Sequence, residues 1–245
     1  MRATVLFLTV IFLATCNGQD NTRIVGGEEL EDLSDYMFVV SFLSSENGNY
    51  SLCGGTLIDP RHVITAGHCT PGVSYIVVGS NNVIYGGSRY NVEKSVPHPD
   101  FSGSPSYRND IAVLTLTEDV TEVTEFPKRP TSELNDFDIT CTVLGKGLTS
   151  YPNGTVSPKL KKTNVKPISK IQCDYDWRGL VPRKTICATT DGTGTCPGDS
   201  GGPLFCNDEL TGVVSFGYPC GKGVPDVYTD VYDFNEWIDS EIGEN

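Results

Sequence analysis

The sequence predicts an all-β fold, and three observations lead there. Short runs rich in β-branched and aromatic residues recur along the chain, set apart by clusters of turn residues. Glycine is plentiful, at 26 of 245 residues, while only 20% are charged. Helical periodicity is convincing in one place, the C-terminal end. A chain of this length suits one large barrel or sandwich, or two small lobes sharing a core.

The N-terminal stretch stands outside that fold. Arg2 supplies a positive charge, and Ala3–Ala14 is a nearly unbroken apolar run. That is the pattern of a secretory signal peptide, too short to span a bilayer. We place its end near Gly18, so residues 1–18 are excluded from the fold. No later segment reads as a membrane span, and the chain is expected to be secreted.

Strands are expected at Phe38–Leu43, Tyr75–Val78, Ile111–Leu116, Thr140–Leu144, Gly212–Phe216 and Val227–Val231. Turn clusters lie between them at Gly79–Asn82, Ser102–Pro105 and Tyr151–Gly154. At the end, Phe234, Trp237, Ile238 and Ile242 recur on one face of a helix. Asp233 is its expected N-cap, with Glu236 three residues on.

Secretion makes the cysteines informative. Of nine, Cys16 falls in the signal segment, leaving Cys53, Cys69, Cys141, Cys173, Cys187, Cys196, Cys206 and Cys220. An even set in a secreted chain argues for disulfides, although spacing leaves their connectivity open. Metal binding is disfavoured, because none of these cysteines forms a Cys-x-x-Cys pair and there are only three histidines. The net charge of −13 argues against nucleic acid and anionic membranes as partners. Asn49 (Asn-Tyr-Ser) and Asn153 (Asn-Gly-Thr) are glycosylation acceptors by motif.

Three short segments carry chemistry. Gly198-Asp199-Ser200-Gly201-Gly202-Pro203 sets a serine among glycines, which let the backbone turn sharply and present N–H groups. A serine hydroxyl needs a base to take its proton and donors for the oxyanion it creates. Ile64-Thr65-Ala66-Gly67-His68-Cys69 places a histidine, the natural base near neutral pH, after an apolar run. Asn109-Asp110-Ile111-Ala112-Val113-Leu114 leads an aspartate into an apolar strand, where a buried carboxylate would hold the histidine tautomer. Taken singly, each segment has a structural explanation. His62 and His98 have no such motif and are read as structural.

In this order and in these flanking sequences, the three segments resemble the chymotrypsin/trypsin family of serine endopeptidases, over Ile24 to about Trp237. The resemblance implies two six-stranded antiparallel β-barrels with a C-terminal helix, the site lying in the cleft between lobes of roughly residues 24–134 and 135–232. It implies Ser200 as nucleophile, His68 as general base and then acid, Asp110 as orienting carboxylate, and the N–H groups of Gly198 and Ser200 as oxyanion hole. It pairs Cys53 with Cys69, Cys141 with Cys206, Cys173 with Cys187, and Cys196 with Cys220.

Arg23-Ile24-Val25-Gly26-Gly27 then resembles an activation site, making residues 19–23 a short propeptide. Cleavage after Arg23 by an activating protease frees the Ile24 amine to pair with Asp199. A free α-amine has a pKa of roughly 7.7–8.0, and a carboxylate partner raises it. A raised folded-state value gives stabilisation that is full below the unfolded value and lost as pH rises through the folded one. Activity is therefore expected to fall at high pH, and a rate still flat beyond about pH 11 would contradict this pairing.

For the primary pocket the resemblance implies walls at Gly194, Thr195 and Cys196 and at Ser215, Phe216 and Gly217, closed by the strand at Pro225–Tyr228. Trypsins carry aspartate six residues before the nucleophile; here that residue is Gly194. Asp226 stands where most relatives have glycine. This combination resembles the brachyurin group, the collagenolytic serine endopeptidases of arthropods, and implies cleavage after large apolar residues together with Arg or Lys. If Asp226 points elsewhere or is neutralised by Lys222, a narrow chymotrypsin-like preference remains. Lys146 stands between Gly145 and Gly147, where the family usually has Trp. The acidic calcium-loop pattern is missing around Gly79–Ser88, so no metal or cofactor is expected. Expected partners are protein or peptide substrates, an activating protease and protein inhibitors, with the chain a monomer. A homologue that had lost its triad would be a binding module, but all three residues are present.

Overall fold

The computed structural model describes residues 27–80, 86–218 and 220–243. Arg23, Ile24, Cys16 and part of the Gly79–Asn82 turn lie outside the described residues.

The first lobe is a closed antiparallel barrel in the order β2-β3-β4-β7-β6-β5. Its strands are β2 (Val39–Glu46), β3 (Asn49–Leu57), β4 (His62–Thr65), β5 (Tyr75–Val78), β6 (Ser88–Pro97) and β7 (Ala112–Leu116). The second lobe contains β8 (Cys141–Gly145), β9 (Lys161–Ile168), β10 (Thr185–Thr189), β11 (Pro203–Cys206), β12 (Glu209–Phe216) and β13 (Asp226–Asp230). Its order is β9-β10-β13-β12-β11-β8, and pairing of β9 with β8 closes a second six-stranded barrel. A short strand β1 (Glu28–Glu29) adds to the outside of β9. Closing both sheets removes exposed edges, at the cost of many sequence-distant pairings.

The six expected strands are present, Tyr75–Val78 with the same ends and the other five with shifted ones. The sequence reading missed β1, β3, β6, β9, β10 and β11, and read β4 only in part. Strand β9 shows why. Lys161, Thr163, Val165 and Pro167 face inward, alternating with outward residues that include Asn164 and Lys166. The inward face starts with a lysine and the outward face is polar, so the run lacks a β-rich composition. Lys161 is buried with its Nζ 3.3 Å from Glu29 Oε1, which ties β1 to β9.

The lobes are strapped in both directions. Strand β1 precedes the first barrel in sequence yet joins the second. The C-terminal helix α2 (Asn235–Ile242) follows the second barrel yet packs on the first, with Val231, Phe234 and Ile238 in one cluster with Val63, Ile64 and Leu114. Asp233 is not its N-cap. A 3-10 turn, Tyr232–Phe234, intervenes, and Phe234 takes the cap position without a side-chain bond. The Asp230 carboxylate accepts from Tyr232 N instead. A second helix, α1 (Lys170–Asp176), was not foreseen; Ser169 caps it by accepting from Gln172 N.

Four disulfides, Cys53–Cys69, Cys141–Cys206, Cys173–Cys187 and Cys196–Cys220, join the pairs the resemblance implied. The Cys141–Cys206 bridge closes the largest loop, a sequence separation of 65, and so removes the most freedom from the unfolded chain.

Candidate active site

His68 lies in the 3-10 turn Gly67–Cys69 just after β4, pinned by the Cys53–Cys69 bridge. Asp110 lies just before β7, which pairs with β4 in register. That pairing brings the two side chains together: His68 Nδ1 is 2.8 Å from Asp110 Oδ2, and His68 N donates to Asp110 Oδ1 at 2.9 Å. Ser215 of β12 donates its hydroxyl to Oδ2 at 2.6 Å. The carboxylate is fully buried, so these bonds are what make a charge there tolerable. They also fix the imidazole: Nδ1 carries the proton toward Asp110 and Nε2 is left free to accept one.

Ser200 lies in the loop leading into β11. Its carbonyl accepts from Gly54 N at 2.8 Å, which fastens the loop to the first barrel. Ser200 and His68 line the same two cavities. Gly198 has φ +100°, a backbone region closed to other residue types, and a Cβ there would meet Gly147 Cα at 3.0 Å.

Between them Asp199 turns inward and is buried. Its Oδ1 accepts from Gly147 N at 2.6 Å and its Oδ2 from Cys196 N at 2.9 Å. A Cβ at Gly145 or Gly147 would fall 2.0–2.7 Å from this carboxylate. Burial pushes its pKa up to about 6 against the pull of those two N–H groups. No cation among the described residues pairs with it.

Lys146, between those glycines, points the other way. Its buried Nζ donates to Ser41 Oγ at 2.9 Å and to the Ser80 carbonyl, joining the second lobe to the first. Burial lowers its pKa to about 8. A lysine whose folded value is depressed destabilises the fold while the unfolded chain holds the extra proton. Stability relative to Lys146→Met should therefore rise with pH between about 8 and 10.5, by on the order of 3 kcal/mol. Urea midpoints at three pH values test this, and a constant difference contradicts it.

One cavity of about 230 Å³ is lined by Thr195, Cys196 and Pro197 on one wall and Val214–Gly217 on the other, with His68 and Ser200 at its mouth. Gly194 and Asp226 do not line it directly; they lie behind Thr195 and Gly217. Asp226 Oδ2 accepts from Thr195 N at 2.7 Å. A Cβ on Gly217 would fall 2.2 Å from Asp226 Oδ1, and one on Gly194 would fall 2.9 Å from Oδ2. The Asp226 carboxylate therefore lies against Gly194 and Gly217, outside the lining of that cavity. It makes no ion pair with Lys222 or any other described cation. Burial raises its pKa to about 7, opposed by Thr195 and reinforced by the charge of Asp199. Beside it the buried Tyr228 hydroxyl has no hydrogen-bond partner among the described residues.

Three lining residues, Tyr107, Pro197 and Val214, escaped the sequence reading of the pocket. Tyr107, held at φ +42°, stacks on Phe216 across the cleft at 5.4 Å between centroids and meets His68 edge-on at 5.6 Å. Its nearness to Asp110 in sequence was the available signal. His62 bonds Asp59 at 2.7 Å, and His98 packs on Phe234 and Trp237, so both take structural places. Among the described residues no group of three potential ligands is arranged to hold a metal ion, and no helix is long and apolar enough to cross a membrane.

The sequence model of the Trypsin family matches residues 24–238. The chain belongs to the trypsin family of serine proteases. It is similar to trypsin-1 of Salmo salar, 33% identical over 95% of this chain and 96% of that protein. It is also similar to the anionic trypsin of Canis lupus familiaris, 34% identical over 92% of each, and to glandular kallikrein-10 of Rattus norvegicus, 33% identical over 98% and 100%. The protein is a serine endopeptidase, built on the two-barrel fold of its family.

Proposed function

We propose that this protease is a secreted precursor, cut after Arg23, whose mature form hydrolyses protein and peptide substrates with a hybrid primary preference: large apolar residues and, through Asp226, Arg and Lys. Ser200 Oγ attacks the scissile carbonyl while His68 Nε2 takes its proton. The oxyanion is held by the N–H groups of Gly198 and Ser200. His68 then returns the proton to the leaving amine, and water hydrolyses the acyl-enzyme by the same route. Ser215–Gly217 offer strand-like backbone groups to the substrate chain. The newly freed Ile24 amine supplies the cation that buried Asp199 lacks, which sets the loop carrying Gly198. We further infer a monomer open to protein inhibitors, and place it with the brachyurin-like, collagenolytic proteases.

The observation that carries the specificity reading is the Asp226 carboxylate, seated against Gly194 and Gly217 with no described cation on it. An acid there attracts a basic side chain only while ionised. With a pKa pushed up to about 7, it is largely neutral at pH 6 and largely charged at pH 8. Pairing of Asp199 with the Ile24 amine relieves part of the repulsion, so the midpoint of the active enzyme falls at or below 7. Cleavage after Arg or Lys, relative to Phe or Leu, should climb by up to about tenfold from pH 6 to pH 8. Asp226→Gly should remove the climb and the basic cuts together while sparing the apolar ones. Digestion of a mixed peptide library by both enzymes tests this; unchanged basic cleavage in Asp226→Gly would remove the case for a functional acid there, and cuts after aromatic and Leu residues alone in the parent enzyme would leave a chymotrypsin-like preference.

A further inference from the structure

The sequence contains only two Asn-x-Ser/Thr acceptors, Asn49 and Asn153. They lie more than a hundred residues apart and on different lobes. Asn49 opens β3 opposite Glu46, just after the Asn47–Gly48 turn. Asn153 is carried by a loop closed at its base by a bridge between Leu148 and Val156. Both asparagines are exposed, and neither side-chain amide bonds another described residue.

One feature joins them: Asn49 lines it, and the loop carrying Asn153 meets it at Leu148 and Val156. A cleft of about 830 Å³ runs from Ser200 and His68 away from the primary pocket, with Asn49 and Tyr50 on one bank and Leu148 and Val156 on the other. The primary pocket takes the residue before the scissile bond, so this cleft receives the residues after it. We propose that N-linked glycans on Asn49 and Asn153 flank this cleft from both lobes and act as a size filter. They would admit peptides and extended segments freely and slow the approach of folded proteins, protein inhibitors included, without barring it. The inference rests on the catalytic reading above.

The modification transfers an oligosaccharide from a polyprenyl-diphosphate donor. The bond from sugar C1 to phosphate oxygen breaks, a bond from C1 to the asparagine Nδ2 forms, and the displaced amide proton leaves with the diphosphate. The product is bulky and polar, which an exposed loop tolerates.

The test uses the full chain secreted from a glycosylating eukaryotic host and activated after Arg23. Glycopeptide mapping is expected to find sugar on both asparagines; bare sites overturn the proposal and leave the catalytic reading intact. Endoglycosidase-trimmed and untreated enzyme are then compared. Hydrolysis of a small arylamide, which places no residue in the cleft, should be unchanged. Association with a folded protein inhibitor should quicken by about tenfold on trimming, within the range over which one interface varies. Thr155→Ala, which removes the Asn153 glycan alone, should give an intermediate rate. Equal association rates before and after trimming, with arylamide hydrolysis intact, would overturn the filter.

Discussion

Asp110→Asn should lower kcat by about 10⁴-fold and leave KM little changed, the magnitude attached to this exchange in the family's triad. The geometry explains why so conservative a change costs so much. Asp110 Oδ2 accepts from both His68 Nδ1 and Ser215 Oγ, and Oδ1 accepts from His68 N. An asparagine keeps the shape but presents one NH₂ in place of an acceptor. Facing the ring, that group obliges Nδ1 to accept, which moves the imidazole proton to Nε2. The nitrogen toward Ser200 then cannot take the serine proton. The fold survives, because the remaining carbonyl oxygen still accepts from His68 N and Thr229 Oγ1 still bonds the Asp110 carbonyl. Steady-state rates beside a melting curve separate the two effects; a loss under about tenfold would remove Asp110 from the catalytic machinery.

Asp199→Asn should reduce kcat/KM by roughly 10²–10⁴-fold after a normal cut at Arg23, the range that corresponds to about 3–5 kcal/mol for a broken buried ion pair. Before cleavage Asp199 has two backbone donors and no described cation, an expensive place for a carboxylate. Cleavage supplies an ammonium group. An amide can keep only one of the two backbone bonds, because its NH₂ faces the other N–H as a second donor, and it offers no charge to draw the new terminus inward, so the loop bearing Gly198 and Ser200 gains nothing from the cut. Amino-terminal sequencing confirms the cleavage, and peptide hydrolysis reads the loss. Full activity in the variant would mean that Ile24 and Asp199 do not pair.

The candidate catalytic residues were legible because each sits in a segment whose chemistry restricts its neighbours. The serine is flanked by glycines that the loop geometry demands, with Gly198 at a φ of +100°. The histidine and aspartate adjoin apolar strands, and the pairing of β4 with β7 brings them together. Disulfide connectivity came from the resemblance alone. What stayed hidden depends on tertiary context. Strand β9 hides behind Lys161, whose burial makes sense only once Glu29 lies beside it. Tyr107 gained its place when a loop of the first lobe met Phe216 of the second. Asp233 looked like a cap because the composition was right, but an extra 3-10 turn precedes the helix and leaves Phe234 at the cap position without a side-chain bond. Lys146 looked misplaced for an interior loop, and its acceptors, Ser41 and Ser80, are distant in sequence.

The most direct measurement is fluorophosphonate labelling of the secreted protein before and after cleavage at Arg23, read by peptide mass spectrometry. One adduct on Ser200, strong only after Ile24 becomes the amino terminus and sharply slowed in Asp110→Asn, is the expected result. No adduct once the Ile24 terminus is confirmed, or an adduct on another residue, would contradict Ser200 as the nucleophile of an activated precursor.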